Sequence, residues 1–298
     1  MNKVLITDPI DQSGIDILSQ VAQVDQKIGI SESDLAAIIQ DYDALMIRSG
    51  TQVTGQIINS SKNLRIIGRA GVGVDNVDVK AATQKGVLVV NSPGGNTIAA
   101  AEHTIAMMLA LSRNIPIANS SMFEGKWERK KFVGNELFKK KLGVVGLGKI
   151  GTHVAKVANA MGMEVLGYDP FVSNERAQQL QVKLSELDIL FQESDYVTLH
   201  LPRTVETENL VDIKVLKSMK NTSKLINCAR GGIIDEEALA EALNNSLIGG
   251  AAIDVYSEEP LNANSPLLKV EKNLILTPHL GASTKEAQEN VAIDVAEQ

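Results

Sequence analysis

Residues 146–151 read Gly-Leu-Gly-Lys-Ile-Gly, directly after the apolar run Leu-Gly-Val-Val at 142–145. A second apolar run follows at 164–168, and Asp169 stands at its end, 18 residues after Gly151. The order is strand, glycine turn, helix, strand, acid. Glycines alone also mark ordinary strand-to-helix turns, but with both flanking strands and the acid in place the pattern is that of a dinucleotide site. Gly146 permits a tight turn out of the strand, Gly148 removes the Cβ that would hold a pyrophosphate away from the helix N-terminus, and Gly151 lets that helix lie close to the sheet. Asp169 can accept both ribose hydroxyls and would repel a 2′-phosphate. Pro170 and Phe171 follow it rather than Arg or Lys. The cofactor expected is therefore NAD rather than NADP.

Such a site needs a parallel sheet around it, and the chain supplies two. Short β-branched runs at 4–7, 44–47, 65–68 and 87–90 alternate with helical patterns at 33–40 and 77–84. A second series starts at Gly143 and continues through 165–168, 196–199, 224–227, 251–253 and 274–276. This alternation predicts α/β architecture with two Rossmann-like or flavodoxin-like parallel-sheet domains. Aromatic residues make up 3% of the chain against 44% hydrophobic overall, so aliphatic side chains must fill both cores. A long helix at 97–112, with Thr97 as its N-cap, bridges the two series. The last helix, from Ser283 onward, has no strand left to return to in the second sheet and is expected to cross back to the first. The dinucleotide-binding domain, 97–279, is thus inserted into a substrate domain formed by 1–96 and 280–298.

A formal net charge of −7 argues against a general nucleic-acid or acidic-membrane partner. The longest apolar stretch, 98–111, contains Glu102 and His103 and is too short to span a bilayer. Cys228 is the sole cysteine, and the first residues read as a strand with no signal-peptide core. A reducing, cytoplasmic setting is expected, without nucleic-acid or membrane partners.

Ligands of open α/β sheets lie at the carboxyl ends of the strands. Three polar residues fall just past strands of the second series: Arg230, Glu259 and His279. Each has an ordinary alternative, as a helix-turn ion pair, a solvated turn or a surface histidine. Together they suit hydride chemistry on a 2-hydroxy or 2-keto acid. A histidine gives and takes the oxygen-bound proton near neutrality, a carboxylate orients the imidazole and raises its pKa, and an arginine fork matches the substrate carboxylate. No metal is expected.

At these residues the chain resembles the D-isomer-specific 2-hydroxyacid dehydrogenases. The resemblance is carried by Ile47-Arg48-Ser49, the Gly-Arg-Ala-Gly-Val-Gly-Val-Asp-Asn-Val-Asp run at 68–78, the segment 125–132, the fingerprint, 227–232 and 278–287. It implies catalysis by Arg230, Glu259 and His279. Cofactor contacts would fall on Gly146, Gly148, Lys149, Ile150, Gly151, Asp169, Cys228, Ala229, Arg230, Asp254, His279, Gly281 and Ala282. Substrate contacts would fall on Arg48, Ser49, Asn96, Arg230 and His279, for a small phosphorylated 2-hydroxy or 2-keto acid. It also implies a homodimer formed through the NAD-binding domain, with Trp127, Arg129 and Lys130 of the basic stretch 126–141 near the interface, while Lys139–Lys141 read as a solvated surface. Gly50 stands where some relatives carry a further basic residue, and Val72 and Leu201 where some carry threonine. A plain hydroxypyruvate or glyoxylate reductase is the nearest alternative, and an NAD-binding corepressor scaffold a remote one. The chain stops one helix past His279, so no C-terminal regulatory domain is expected within it.

Overall fold

The computed structural model describes all of residues 1–298. The chain folds into two compact units, one formed by Met1–Thr97 with Ala282–Gln298 and the other by Ile98–Gly281.

The first unit holds strands β1 (Asn2–Ile6), β2 (Ala22–Gln26), β3 (Ala44–Ile47), β4 (Ile66–Arg69) and β5 (Leu88–Asn91) in the order β2-β1-β3-β4-β5, all parallel. Successive residues of a strand point to opposite faces. Accordingly Leu5, Leu45, Ile47 and Ile67 bury into one layer with Leu35, Ile57 and Ile58, while Ile6 and Met46 face a second layer with Ile15, Val291 and Val295. That second layer is closed by two helices far apart in sequence, Gln12–Ser19 and Lys285–Glu297. The final helix therefore belongs to the first sheet. A Cβ on Gly14 would lie 2.8 Å from the Ala292 carbonyl, so only glycine allows the two helices to pack this closely. Ser92, just past β5, donates to Asp294 at 2.5 Å and ties the same helix to the strand ends.

The second unit holds β6 (Lys141–Val145), β7 (Glu164–Tyr168), β8 (Lys183–Leu184), β9 (Tyr196–Leu199), β10 (Lys224–Asn227), β11 (Gly250–Ile253) and β12 (Leu274–Leu276). Their order is β12-β11-β10-β9-β6-β7-β8, again wholly parallel. Both faces are covered: Val145, Val197, Leu225 and Ile253 contribute to one core, and Leu142, Val144, Ile226 and Ala252 to the other. Burial on both sides explains why these strands read as unbroken apolar runs. The strand order reverses between β6 and β9, and in the first sheet between β1 and β3. Those are the points where ligand crevices open.

Two strands escaped the sequence pattern. β2 is a polar edge strand, Ala-Gln-Val-Asp-Gln, paired on one side only, and β8 is a two-residue edge. Neither needs the apolar run by which inner strands announce themselves. The expected cap by Thr97 is also not made. The Thr97 N–H donates to Gly94 at 3.1 Å, which draws Thr97 into the helix Thr97–Ser112 as its first residue, and its hydroxyl is buried without a hydrogen-bond partner.

The returning helix should be an energetic part of the first unit. Val295 is 6% exposed in that layer, so Val295→Ala is expected to cost about 1–2 kcal/mol from lost transfer and cavity terms. Urea titration followed by circular dichroism should show it, whereas Val21→Ala, at a 72% exposed position, should leave the midpoint unchanged.

Candidate active site

The fingerprint forms the turn its glycines call for. Gly146 has φ +94°, and a Cβ there would lie 2.5 Å from the His200 carbonyl at the end of β9, so the turn is pressed into the point where strand order reverses. Gly151 abuts the Gly146 carbonyl, allowing the helix Lys149–Ala160 to start against the turn. Gly148 is the N-cap of that helix, with extended backbone and no capping side chain. A Cβ on it would meet no atom within 4 Å. The space in front of the uncapped helix N-terminus is thus open, which is the cradle a pyrophosphate requires. Lys149 is exposed and Ile150 half-buried at its edge.

Asp169 sits at the end of β7 as expected, but its carboxylate already does a structural task. Oδ2 accepts the Leu147 N–H at 2.8 Å and Oδ1 the Phe171 N–H at 2.9 Å. It braces the glycine turn from the second strand, and the remaining lone pairs of each oxygen stay available to ribose hydroxyls. His200, which sequence reasoning passed over, lies beside the same turn. Burial pushes its pKa down to about 4, so the imidazole is neutral, with Nε2 at 3.0 Å from Thr198 Oγ1.

At the other strand ends of this sheet, Glu259 and His279 meet. His279 Nδ1 lies 2.7 Å from Glu259 Oε2, and the two side chains are 43% and 36% exposed. Glu259 Oε1 accepts the Tyr256 N–H at 3.0 Å, which fixes the carboxylate plane. Burial raises the Glu259 pKa, but the His279 hydrogen bond and the Tyr256 N–H outweigh it and hold the carboxyl below its ordinary value. His279 takes a left-handed backbone with φ +54°, a conformation costly for a residue with a Cβ and kept only where neighbours impose it.

Asp254, the first residue past β11, supplies that imposition. It is wholly buried. Its Oδ1 accepts the Thr277 hydroxyl at 2.6 Å and the Leu280 N–H at 2.8 Å, Oδ2 accepts the Gly281 N–H at 2.8 Å, and its backbone carbonyl accepts the His279 N–H at 2.9 Å. Burial raises the Asp254 pKa, yet hydrogen bonds from His103 and Thr277 and from the Leu280 N–H prevail and keep it ionised. Tyr256 adds a hydroxyl bond to the Thr277 carbonyl at 2.9 Å.

Arg230 follows β10 in a turn shaped by Asn227, whose amide donates to the Arg230 carbonyl at 2.9 Å and whose Oδ1 accepts the Ala229 N–H at 3.0 Å. The next residue, Gly231, packs against the Tyr256 carbonyl. The Arg230 turn and the Tyr256–Glu259 turn are therefore neighbours. Cys228 is half-buried, and burial of its thiol followed by the Asp254 charge pushes it up to about 12. Ala282, the first residue of the returning segment, is half-buried.

In the first unit, Arg48 and Ser49 stand just past β3 at the reversal point of that sheet. Asp8, past β1, accepts the Arg48 N–H at 2.6 Å and the Thr51 N–H at 3.1 Å, and the Asn76 amide donates to the Arg48 and Thr51 carbonyls at 2.7 and 2.6 Å. A Cβ on Gly50 would lie 2.5 Å from Asp8 Oδ1, which accounts for glycine there. Asn96 has a buried Oδ1 without a partner. Asp8 was open to sequence reasoning, since it follows an apolar strand as the second-series residues do. Asn76 and Thr277 were not, because their bonds go to backbone groups distant in sequence.

Residues 105–281 match the family model of the D-isomer specific 2-hydroxyacid dehydrogenase, NAD binding domain. The chain belongs to the D-isomer specific 2-hydroxyacid dehydrogenases. Its second unit is the family's NAD-binding domain, and the open cradle at Gly148 with Asp169 beside it fits that cofactor. Over its full length the chain is 62% identical to a D-3-phosphoglycerate dehydrogenase of Synechocystis sp., covering 53% of that protein. It spans about half the length of the curated relatives it matches. Among solved structures, the NAD-dependent formate dehydrogenase from Staphylococcus aureus in complex with NAD is 30% identical with a TM-score of 0.87, the match covering 100% of this chain and 94% of that one. The D-lactate dehydrogenase from Aquifex aeolicus complexed with NAD and lactic acid is 25% identical with a TM-score of 0.89, covering 99% and 93%.

In this family member, Gly148→Val should preserve the fold, since the backbone is extended and the new side chain enters open space. It should cost one or two charge-assisted hydrogen bonds to the phosphates, about 1.5–3 kcal/mol each and so roughly tenfold or more in affinity. Fluorescence titration with NADH would show this. Unchanged affinity with an unchanged melting temperature would refute the cradle.

Proposed function

We propose that this chain carries the catalytic part of an NAD-dependent D-3-phosphoglycerate dehydrogenase, interconverting 3-phospho-D-glycerate and 3-phosphohydroxypyruvate, the step that opens phosphorylated serine biosynthesis. The observation that carries the reading is the 2.7 Å contact between His279 Nδ1 and Glu259 Oε2, on the sheet that also bears the dinucleotide turn. The printed name of the 62% identical relative supports the choice of substrate.

Bound NAD supplies the hydride acceptor, and the chain's residues handle the proton. With Nδ1 donating to Glu259, the Nε2 of His279 is left as the base that takes the C2 hydroxyl proton during oxidation and returns it during reduction. The Glu259 carboxylate stabilises the imidazolium so formed. General acid–base action of this kind contributes about 10²–10⁴-fold in rate. Arg230 is the donor fork for the substrate carboxylate, polarising the reacting carbonyl. Arg48 takes the phosphate, with Ser49 and Asn96 as further donors. The Asp8 and Asn76 bonds that shape the 48–51 turn support this assignment, because a dianion is bound well only by donors fixed in advance.

The second unit exposes Ile115, Ile117, Met122, Phe123, Trp127 and Val133 within one segment, Phe123 at 87% and Trp127 at 80%. An apolar surface of this extent supports a homodimer formed through the NAD-binding domain with Trp127 as an anchor. The basic residues nearby are partly neutralised by Lys126–Glu124 and Lys131–Glu128 pairs, each at 2.6 Å. No helix is long and apolar enough to cross a membrane. The lone free cysteine suits a reducing compartment such as the cytoplasm.

Steady-state assays with a panel of 2-hydroxy and 2-keto acids, each with NAD and NADP, test the function. The expected result is preference for 3-phosphohydroxypyruvate and for NAD(H). A preference for hydroxypyruvate or glyoxylate would replace the phosphoglycerate reading with a plain reductase, and no turnover with any acid would favour a scaffold. Arg48→Ala should raise the KM for 3-phosphohydroxypyruvate roughly tenfold or more, the loss of one charged hydrogen bond, and much less for hydroxypyruvate. Equal losses would assign Arg48 to the carboxylate.

A further inference from the structure

His103 belongs to neither the dinucleotide turn nor the acid/base pair. It lies on the helix Thr97–Ser112, whose Ala99, Ala100, Ala101, Thr104, Met107 and Met108 are buried. An imidazole in so apolar a helix is costly unless its nitrogens are used. Its side chain is 19% exposed, and its Nε2 lies 3.2 Å from Asp254 Oδ1 and 3.4 Å from Thr277 Oγ1.

The donors that satisfy the buried Asp254 carboxylate are unequal in origin. Thr277, Leu280 and Gly281 all come from the turn that carries His279. His103 alone brings a donor from another element. The three turn donors tie that turn to Asp254, and His103 ties Asp254 to the long helix, which the turn otherwise reaches through the weak 3.9 Å contact of the Thr277 hydroxyl with Met107 Sδ. His103, Cys228 and Asp254 have ligand atoms within 4.8 Å of one another. Their chemistry is nevertheless that of a hydrogen-bonded cluster. Burial and the Asp254 charge push the Cys228 thiol up to about 12, and the carboxylate accepts from Thr277, Leu280 and Gly281.

We propose that His103 is a positioning residue for His279: by holding Asp254 against the long helix it fixes the 277–281 turn and the left-handed backbone from which His279 reaches its partner Glu259. The proposal rests on His279 being the acid/base. A catalytic group displaced by about 1 Å can lose on the order of 10²-fold in rate, so a residue with no contact to substrate can still govern turnover.

The test compares three substitutions, using NADH and the 2-keto acid that the native protein reduces fastest. His103→Leu removes the donor. His103→Gln keeps an N–H near the Nε2 position, and His103→Asn has an amide too short to reach. His103→Leu should lower kcat by about ten- to a hundredfold and shift the pH profile of kcat/KM, while His103→Gln restores both to within about threefold. A native kcat and an unshifted profile in His103→Leu would overturn the proposal. If His103→Leu fails to fold, His103→Gln active with His103→Asn impaired supports it, and both active overturns it. His279→Ala is measured alongside. If that variant keeps its turnover, the acid/base reading itself fails. If it is inactive while His103→Leu behaves as native, only the positioning role fails.

Discussion

A carboxylate with no exposure to solvent is tolerable only when donors replace its lost water, and Asp254 meets that condition with groups that surround His279 in sequence. The constraint acts in both directions. The turn 277–281 gives its N–H groups and hydroxyl to Asp254, and in return the carboxylate dictates the conformation of the turn, down to the left-handed φ of His279. A free loop at the end of β12 would not hold a histidine in that conformation. Glu259 then has a partner in a fixed place, its own carboxylate held by the Tyr256 N–H. The Glu259–His279 contact therefore depends on a third residue, Asp254, that bonds the turn around His279.

The same device recurs at two other turns that follow strands of the parallel sheets. Asp169 holds the glycine turn through the Leu147 N–H, and Asp8 holds the Arg48 turn through two N–H groups. Each acid follows an apolar strand and accepts backbone donors from a neighbouring strand's loop. Parallel sheets favour this arrangement, because all their carboxyl ends, with their loose N–H groups, lie along one edge. Carboxylates at that edge shape the loops that carry Arg48 and His279.

Much of this was legible in the residues. Strands buried on both faces, such as β6 and β10, announce themselves as apolar runs, and the fingerprint names its own turn. Arg230, Glu259 and His279 follow from looking just past those runs, and the structure brings Glu259 and His279 into contact while setting Arg230 in the adjoining turn. What stayed hidden has a common physical origin. β2 and β8 are edge strands with no need of apolar character, Thr97 lost its capping role to a local turn, and the work of Asp254 and Asp169 is done on backbone groups, which every residue carries alike. Side chains that bond to backbone leave no partner residue to find in a sequence. His103 is the intermediate case: a polar residue in an apolar helix, conspicuous by position, whose partner lies 151 positions away.

If the Glu259 carboxylate supports proton transfer by His279, its removal must be felt in catalysis. The pH dependence of kcat/KM, measured for the native protein and for Glu259→Gln, addresses it directly. Glutamine keeps the shape of the side chain but removes the negative charge that faces Nδ1 and would stabilise the imidazolium formed during oxidation. The variant should therefore show kcat/KM reduced roughly tenfold or more across the pH range. A profile superimposable on the native one would mean that the 2.7 Å contact does not govern the proton on His279, and the account of the site would have to be rebuilt around another base.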